Sequence, residues 1–394
     1  MYKFALLCFF LTLLAPNVFC QQLFTEQEAV ALALKKSNTL TAANLTIQQQ
    51  KQLVRGSINL PNPEVFVESP TGDFYTASIT QSFEFPTVYG KQRQLQKQQL
   101  TLAEKEAQLT ALEVNYEVRK LYVNLQYAQA LTQKLYGQDT VYATIAQNAG
   151  RQFDAGQIDY LQKSFAESQS GQIHNEYVTA TFTEAALQQQ LFQFTGVSKS
   201  MTQALDTGLV LNGESSTDSA WLNGNLATAI YQQSAMIANK NISLQKAKAL
   251  PGFAVGYFNQ GERNTPLQNR FRLGVTLPLW YGQYKSQINA ANTSLLIAEQ
   301  QALAYRQELS LADSQAFADV QAGAQQLQYY QRTGLPKAND ILLTAKRLFE
   351  SGQNDYINYL RNISEVYTIQ LKYLQAVKDY KTAQLYAQFL KGQL

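Results

Sequence analysis

Residues that carry chemistry are scarce in this chain. Its 394 residues include two cysteines, Cys8 and Cys20, and a single histidine, His174. After Met1 the only methionines are Met201 and Met236, and they are not clustered. One histidine excludes a two-histidine metal site or a histidine-based triad within one chain, and two scattered methionines offer no relay for a soft metal. No Gly-rich loop carries the lysine that would hold a phosphate. Charged residues make up 15% and the net charge is +3, against about 25% charged residues in ordinary soluble domains. No Lys/Arg run forms a patch for nucleic acid. The reading is therefore no enzyme, no catalytic residue, no cofactor, no metal site and no nucleic-acid partner.

Long apolar runs are missing too. Beyond residue 20 no stretch reaches the roughly 18 apolar residues of a membrane-spanning helix. The first twenty residues read as a signal peptide. Lys3 is basic, Phe4 to Leu14 is an apolar run too short to span, and Ala15-Pro16-Asn17 breaks it. Val18-Phe19-Cys20 then offers small residues for cleavage before Gln21. Lipidation of Cys20 is the alternative, disfavoured because bulky Phe19 precedes it. Both cysteines lie in this segment, so the exported chain is expected to hold no disulfide and no thiolate chemistry.

What the chain does have is a duplication. FDAGQIDY at 153–160 returns as FESGQNDY at 349–356. TVYGKQRQLQ at 87–96 resembles LWYGQYKSQI at 279–288, each Tyr-Gly following a proline, Pro86 or Pro278. SNTLTAANLTIQQQK at 37–51 resembles SAMIANKNISLQKAK at 234–248, and Leu60-Pro61 corresponds to Leu250-Pro251. A period of about 195 residues is far too long for a solenoid. The expected organisation is a first repeat at 21–196, a polar Gly/Ser-rich linker at 197–219 and a second repeat at 220–394.

Each repeat opens helically. Thr25-x-x-Glu28 is a capping-box pattern, and the helical pattern runs to Arg55 before Gly56, Pro61 and Pro63. Residues 74–85, FYTASITQSFEF, then alternate apolar and polar, with Gln81 the exception; that is a period-2 strand. Phe271, Leu273, Val275, Leu277 and Leu279 alternate likewise. PEVFVESP and GFAVGYFNQ upstream are the hairpin partners. Strands of about 9–12 residues with one apolar face suit an outer-membrane barrel. Two hairpins give only four strands, however, and an open sheet cannot sit in lipid with unpaired edges. After each Tyr-Gly comes a long helical stretch. Lys91 to Asn148 spans roughly 87 Å if helical, too long for a globular core. The second copy reads as interrupted at Thr333-Gly-Leu-Pro336, then returns through Leu360, Ile363, Tyr367, Leu371, Leu374 and Val377. The octapeptide marks the reversal of each helical hairpin: Gly156 and Gly352 suit a φ > 0 turn, Asp159 and Asp355 suit helix caps, and Phe153 and Phe349 suit packing beneath.

These features together resemble the TolC family of outer-membrane efflux proteins, over Leu23 to Gly392, most nearly its Cus/Czc branch. The resemblance implies a mostly α fold with a small membrane β part: a long α-helical hairpin barrel plus four β-strands per chain, closing as a homotrimer into a 12-stranded barrel in outer-membrane lipid. It implies a passive exit duct with a long periplasmic part. The partners would be a periplasmic adaptor (membrane fusion) protein and an inner-membrane transporter, of the RND type. By resemblance the adaptor-docking tips are Ala155, Gly156, Gln157, Ser351, Gly352 and Gln353. The family's acidic entrance ring would fall at Asn358 and Arg361, with Asp355 the nearest carboxylate, so the aperture residues depart from the family pattern. The outlet of a type I protein-secretion system and a periplasmic coiled-coil scaffold remain alternatives.

Overall fold

A computed structural model describes residues 24–69, 72, 76–198, 202–206, 208, 221–259, 266 and 270–394. The expected signal peptide and Cys20 lie outside these residues, as do Phe74 and Tyr75 and much of the expected linker at 197–219. The order of elements is doubled. The first half runs α1 (Glu26–Lys36), α2 (Asn38–Arg55), β1 (Glu64–Glu68), β2 (Thr76–Phe83), α3 (Pro86–Asp154) and α4 (Tyr160–Thr195). The second runs α5 (Trp221–Gly224), α6 (Leu226–Lys248), β3 (Gly252–Phe258), β4 (Phe271–Thr276), α7 (Tyr281–Tyr329), α8 (Leu335–Glu350) and α9 (Tyr356–Lys391).

The capping box forms as its spacing predicts: the Thr25 hydroxyl accepts from the Glu28 N–H at 3.2 Å, and the Glu28 carboxylate accepts from the Thr25 N–H at 3.1 Å. The single helix expected up to Arg55 is instead two. Ser37 adopts extended backbone, and its hydroxyl accepts from the Leu40 N–H to start α2 afresh. Serine competes with the helix by offering its own cap, a local preference that outweighs the surrounding helical pattern.

α3 is longer than expected at both ends, 69 residues or about 100 Å. Pro86 opens it, where the missing N–H costs nothing. Its buried residues include Ala107, Val114, Leu121, Ala128, Leu135, Tyr142 and Ala149, a strict seven-residue spacing. Such a spacing keeps one seam against neighbouring helices only if the helices supercoil left-handedly. The expected break near Pro336 is not a break. The chain stays helical through one π turn, Tyr330–Gly334, with Pro336 in the first turn of α8. Buried Leu309 and Ala316, then buried Tyr330, Ala338 and Ala345, show why: the spacing of seven resumes one residue late. The wider π turn absorbs that extra residue and frees the carbonyl that proline would strike.

The four strands form one antiparallel sheet in the order β1-β2-β3-β4. The two repeats thus join through β2 and β3, with Ser78 opposite Phe258 and Phe83 opposite Phe253. The strands are shorter than expected, because Phe85 already precedes α3 and Leu277-Pro278 leaves β4. Register sorts the faces. Val65 pairs with Ile79, Ile79 with Tyr257, and Tyr257 with Phe271. Val67 and Ala77, then Val255 with Leu273 and Phe253 with Val275, extend the same apolar face. Gln81 interrupts it and donates instead to the Pro61 carbonyl at 2.6 Å. Leu273 is 85% exposed and Trp280 83%. Among the described residues no helix is long and apolar enough to cross a membrane. Exposed apolar side chains are dense on the sheet, and others lie along the helices, such as Leu161, Phe182 and Leu311.

Midway along the helices the described part of the linker is a strap. Phe24 bridges Thr202 in parallel, and the Tyr122 hydroxyl donates to the Phe24 carbonyl while accepting from the Gln203 N–H at 3.1 Å. Lys381 pairs with Asp206 at 2.6 Å, which holds the Asp206 carboxyl below its ordinary range. The side chain of Asn225, capping α6, donates to the Leu390 carbonyl at 2.7 Å.

Candidate functional site

Both helical hairpins reverse by the same device. Gly156 and Gly352 each have φ of 71°. The Gly156 N–H donates to the Phe153 carbonyl at 2.9 Å and the Gln157 N–H to the Gln152 carbonyl at 2.8 Å. In the second hairpin Gly352 donates to Phe349 at 3.1 Å and Gln353 to Leu348 at 2.9 Å. These paired bonds satisfy the last carbonyls of the outgoing helix, and they require a left-handed residue that glycine alone supplies cheaply. Asp159 and Asp355 then start the returning helices, accepting from the Gln162 N–H at 2.8 Å and the Asn358 N–H at 2.7 Å.

Aromatic rings brace each turn from beneath. Phe153 meets Tyr160 edge-on at 6.1 Å, with the Lys163 ammonium 4.9 Å above it. Phe349 stacks on Tyr359 at 4.3 Å and meets Tyr356 edge-on at 4.9 Å. Further in, buried Tyr142, Ala149, Ala166, Tyr356, Leu360 and Ile363 form one cluster that ties the two hairpins together. The tips of one chain are therefore held at a fixed spacing by packing, not by the turns alone.

Ala155, Gly156, Gln157, Ser351, Gly352 and Gln353 are all exposed. The adjoining residues apart, no atom lies within 4 Å of where a side chain would begin at Gly156 or Gly352. The glycines serve the backbone, and the space over them is open. Of the aperture candidates, Asp355 and Asn358 bond to each other: the second carboxylate oxygen of Asp355 accepts from the Asn358 amide at 3.1 Å. Asp355 is thus engaged as a cap. Arg361 is exposed and makes no ion pair with Asp355 or Glu365 among the described residues. His174 lies on the surface with Nδ1 3.1 Å from the Asp139 carboxylate. Among the described residues no three metal-ligating side chains gather.

Of the tyrosines in the packed seam, Tyr367 is marked in the sequence by its helical spacing, and the seven-residue spacing through Tyr142 marks another. Burial pushes Tyr142 up to about 12 from an ordinary 10.0, and it pushes Tyr356, Tyr359 and Tyr367 in the same direction. Above pH 10 the unfolded chain sheds protons that the folded chain keeps, so stability is full below 10.0 and is lost as pH rises toward about 12. The helical melting temperature, followed by circular dichroism, should be level to pH 10 and fall beyond it, with a shallower fall in Tyr142→Phe. A level temperature throughout would contradict this account of the seam.

With this geometry in view, comparisons with known proteins agree on one architecture. The outer membrane efflux protein family model matches residues 222–387, nearly all of the second repeat. No curated protein matches the sequence. The solved structure of CusC is 16% identical, with TM-score 0.77, covering 93% of this chain and 91% of that one. The CmeC outer membrane channel of Campylobacter jejuni is 15% identical, with TM-score 0.75, covering 93% and 85%. The MtrE outer membrane channel of Neisseria gonorrhoeae, in its open state, is 14% identical, with TM-score 0.73, covering 94% and 89%. These structures share the fold across both repeats, including the first, which the family model does not reach. The second repeat is therefore similar in sequence to the outer membrane efflux protein family, and nearly the whole chain shares its fold with solved outer membrane channels.

Proposed function

We propose that this chain is the passive exit duct of a tripartite efflux pump. Three copies close their four-stranded sheets into a 12-stranded barrel through the outer membrane, and their helices form a periplasmic tunnel. The observation that carries this reading is the sheet register. Gln81 apart, one face is apolar across all four strands, while among the described residues β1 and β4 each have a strand neighbour on one side only. Such a sheet is stable in hydrocarbon only when its edges are closed by other copies. The tunnel needs no chemistry of its own, because a duct conducts by geometry and by the polarity of its lining.

The six tips of the trimer face the periplasmic end, and there Ala155, Gly156, Gln157, Ser351, Gly352 and Gln353 meet the hairpins of an adaptor. Small exposed residues over a rigid turn allow close approach of another helical hairpin. An inner-membrane transporter of the RND type supplies the energy. The cargo is a small molecule or metal ion, and the departure at Asn358 and Arg361 argues against an acidic, cation-selecting ring at the entrance. The test is a deletion strain challenged with copper, silver, zinc, cobalt and a panel of drugs and detergents. Heightened sensitivity to at least one class, restored by the intact gene, is expected. Unchanged sensitivity together with loss of an exported protein would instead make the chain a protein-secretion outlet.

A further inference from the structure

The charges on the sheet are few and unevenly placed. The two inner strands, TASITQSF and GFAVGYF, carry none. The free-edge strand β1, EVFVE, carries only carboxylates, Glu64 and Glu68. The other free-edge strand β4, FRLGVT, carries only a guanidinium, Arg272, and Arg270 stands just before it. Glu64, Glu68 and Arg272 lie on the polar face, because Glu64 pairs with Thr80, Glu68 with Thr76, Thr80 with Gly256, and Gly256 with Arg272. Glu64, Glu68 and Arg272 are exposed. The Arg272 guanidinium rests 3.7 Å over the ring of Phe258, which shares that face.

The same row reveals the stagger. It leaves β1 at Glu64, the first residue of that strand and the end nearer the helices. It reaches β4 at Arg272, the second residue of that strand and the end nearer the connecting loop. A barrel requires this climb. Carried on by one more strand, the row arrives at the loop end of the next β1, where Glu68 stands.

We propose that Glu68 of one copy and Arg272 of the next form the electrostatic seam that sets how copies join. This inference rests on the ring of copies proposed above. Edge strands of opposite sign attract when β4 meets a neighbour's β1, and like signs meet when β1 faces β1 or β4 faces β4. Charges directly or diagonally opposite across strands interact, and like charges destabilise the pairing. The arrangement therefore favours head-to-tail closure into a ring and disfavours a two-fold dimer. It also fixes register at a seam where no hairpin turn can do so.

The experiment uses differently tagged copies of the full chain expressed together. Glu68→Arg alone and Arg272→Glu alone should each give trimers that dissociate in detergent at a lower temperature than wild type. The double exchange, Glu68→Arg with Arg272→Glu, should recover the wild-type temperature. Mixed with wild type, the double exchange should sort into separate trimers, because every mixed ring has two seams of like charge. Mixed rings should drop well below the roughly three-quarters that random association gives. Should the double exchange fail to assemble, Arg272→Lys supplies an amine at the same place. A carbodiimide should then join it to Glu68 of the neighbouring copy, and Glu68→Gln should abolish that cross-link. Free mixing with unchanged dissociation temperatures, or no cross-link, would overturn the seam and leave the ring intact. Wild type that never forms trimers would instead overturn the ring.

Discussion

Replacing Gly352 with proline is expected to abolish efflux while leaving assembled protein in the outer membrane. Gly352 has φ of 71° and donates its N–H to the Phe349 carbonyl. Proline fixes φ near −65° and has no N–H, so it can satisfy neither requirement. It also pushes the preceding residue out of helical backbone, yet Ser351 sits at φ of −83° and ψ of 0°. The cost is on the order of 3 kcal/mol, confined to the turn. The sheet and the strap are in other parts of the fold, so assembly should survive. Gly352→Ala is the graded control. No neighbour obstructs the added methyl, and only the backbone strain of roughly 1–2 kcal/mol remains, so partial efflux is expected. Export assays alongside trimer yield separate the two effects. Normal efflux in the proline variant would mean that the tip does not engage a partner.

The second large effect is on insertion. Leu273→Arg should prevent assembly in the outer membrane, whereas Ser82→Arg should be tolerated. Both residues lie in the same sheet and are exposed. Register places Leu273 opposite Val255 on the apolar face, and Ser82 opposite Ala254 on the polar face. A charge on the lipid face at the midplane costs about 2–4 kcal/mol in each copy, whereas a charge facing the lumen stays hydrated. Trimer recovered from outer-membrane fractions is the readout. Equal recovery of the two variants would mean that the sheet faces are not divided between lipid and water.

The parts legible in the sequence were those specified locally. The repeated octapeptide gave the turns because a glycine in left-handed backbone followed by a capping aspartate is a local requirement. Alternation gave each hairpin for the same reason. The joining of β2 to β3 was hidden, since those strands are far apart in sequence and no turn ties them. Ser37 was misread because a serine within a helical pattern can cap a new helix or point to solvent, and tertiary context decides which. Pro336 suggested a break, although the shift in the seven-residue spacing already held the π turn. Gly392 closes α9 with the same left-handed geometry as the tips, φ 70°, at the end of the returning helix rather than at a reversal point. A glycine of this kind marks a helix end and does not by itself mark a docking site; the docking proposed for the tips rests also on their exposure, brace and placement at the reversal point.

In lipid, separate copies must close one another's sheet edges. Light scattering on protein extracted from outer membranes in mild detergent counts chains per particle directly. Three chains per particle, falling to one on heating, is the predicted result. A single chain per particle, recovered from the soluble periplasmic fraction, would contradict it.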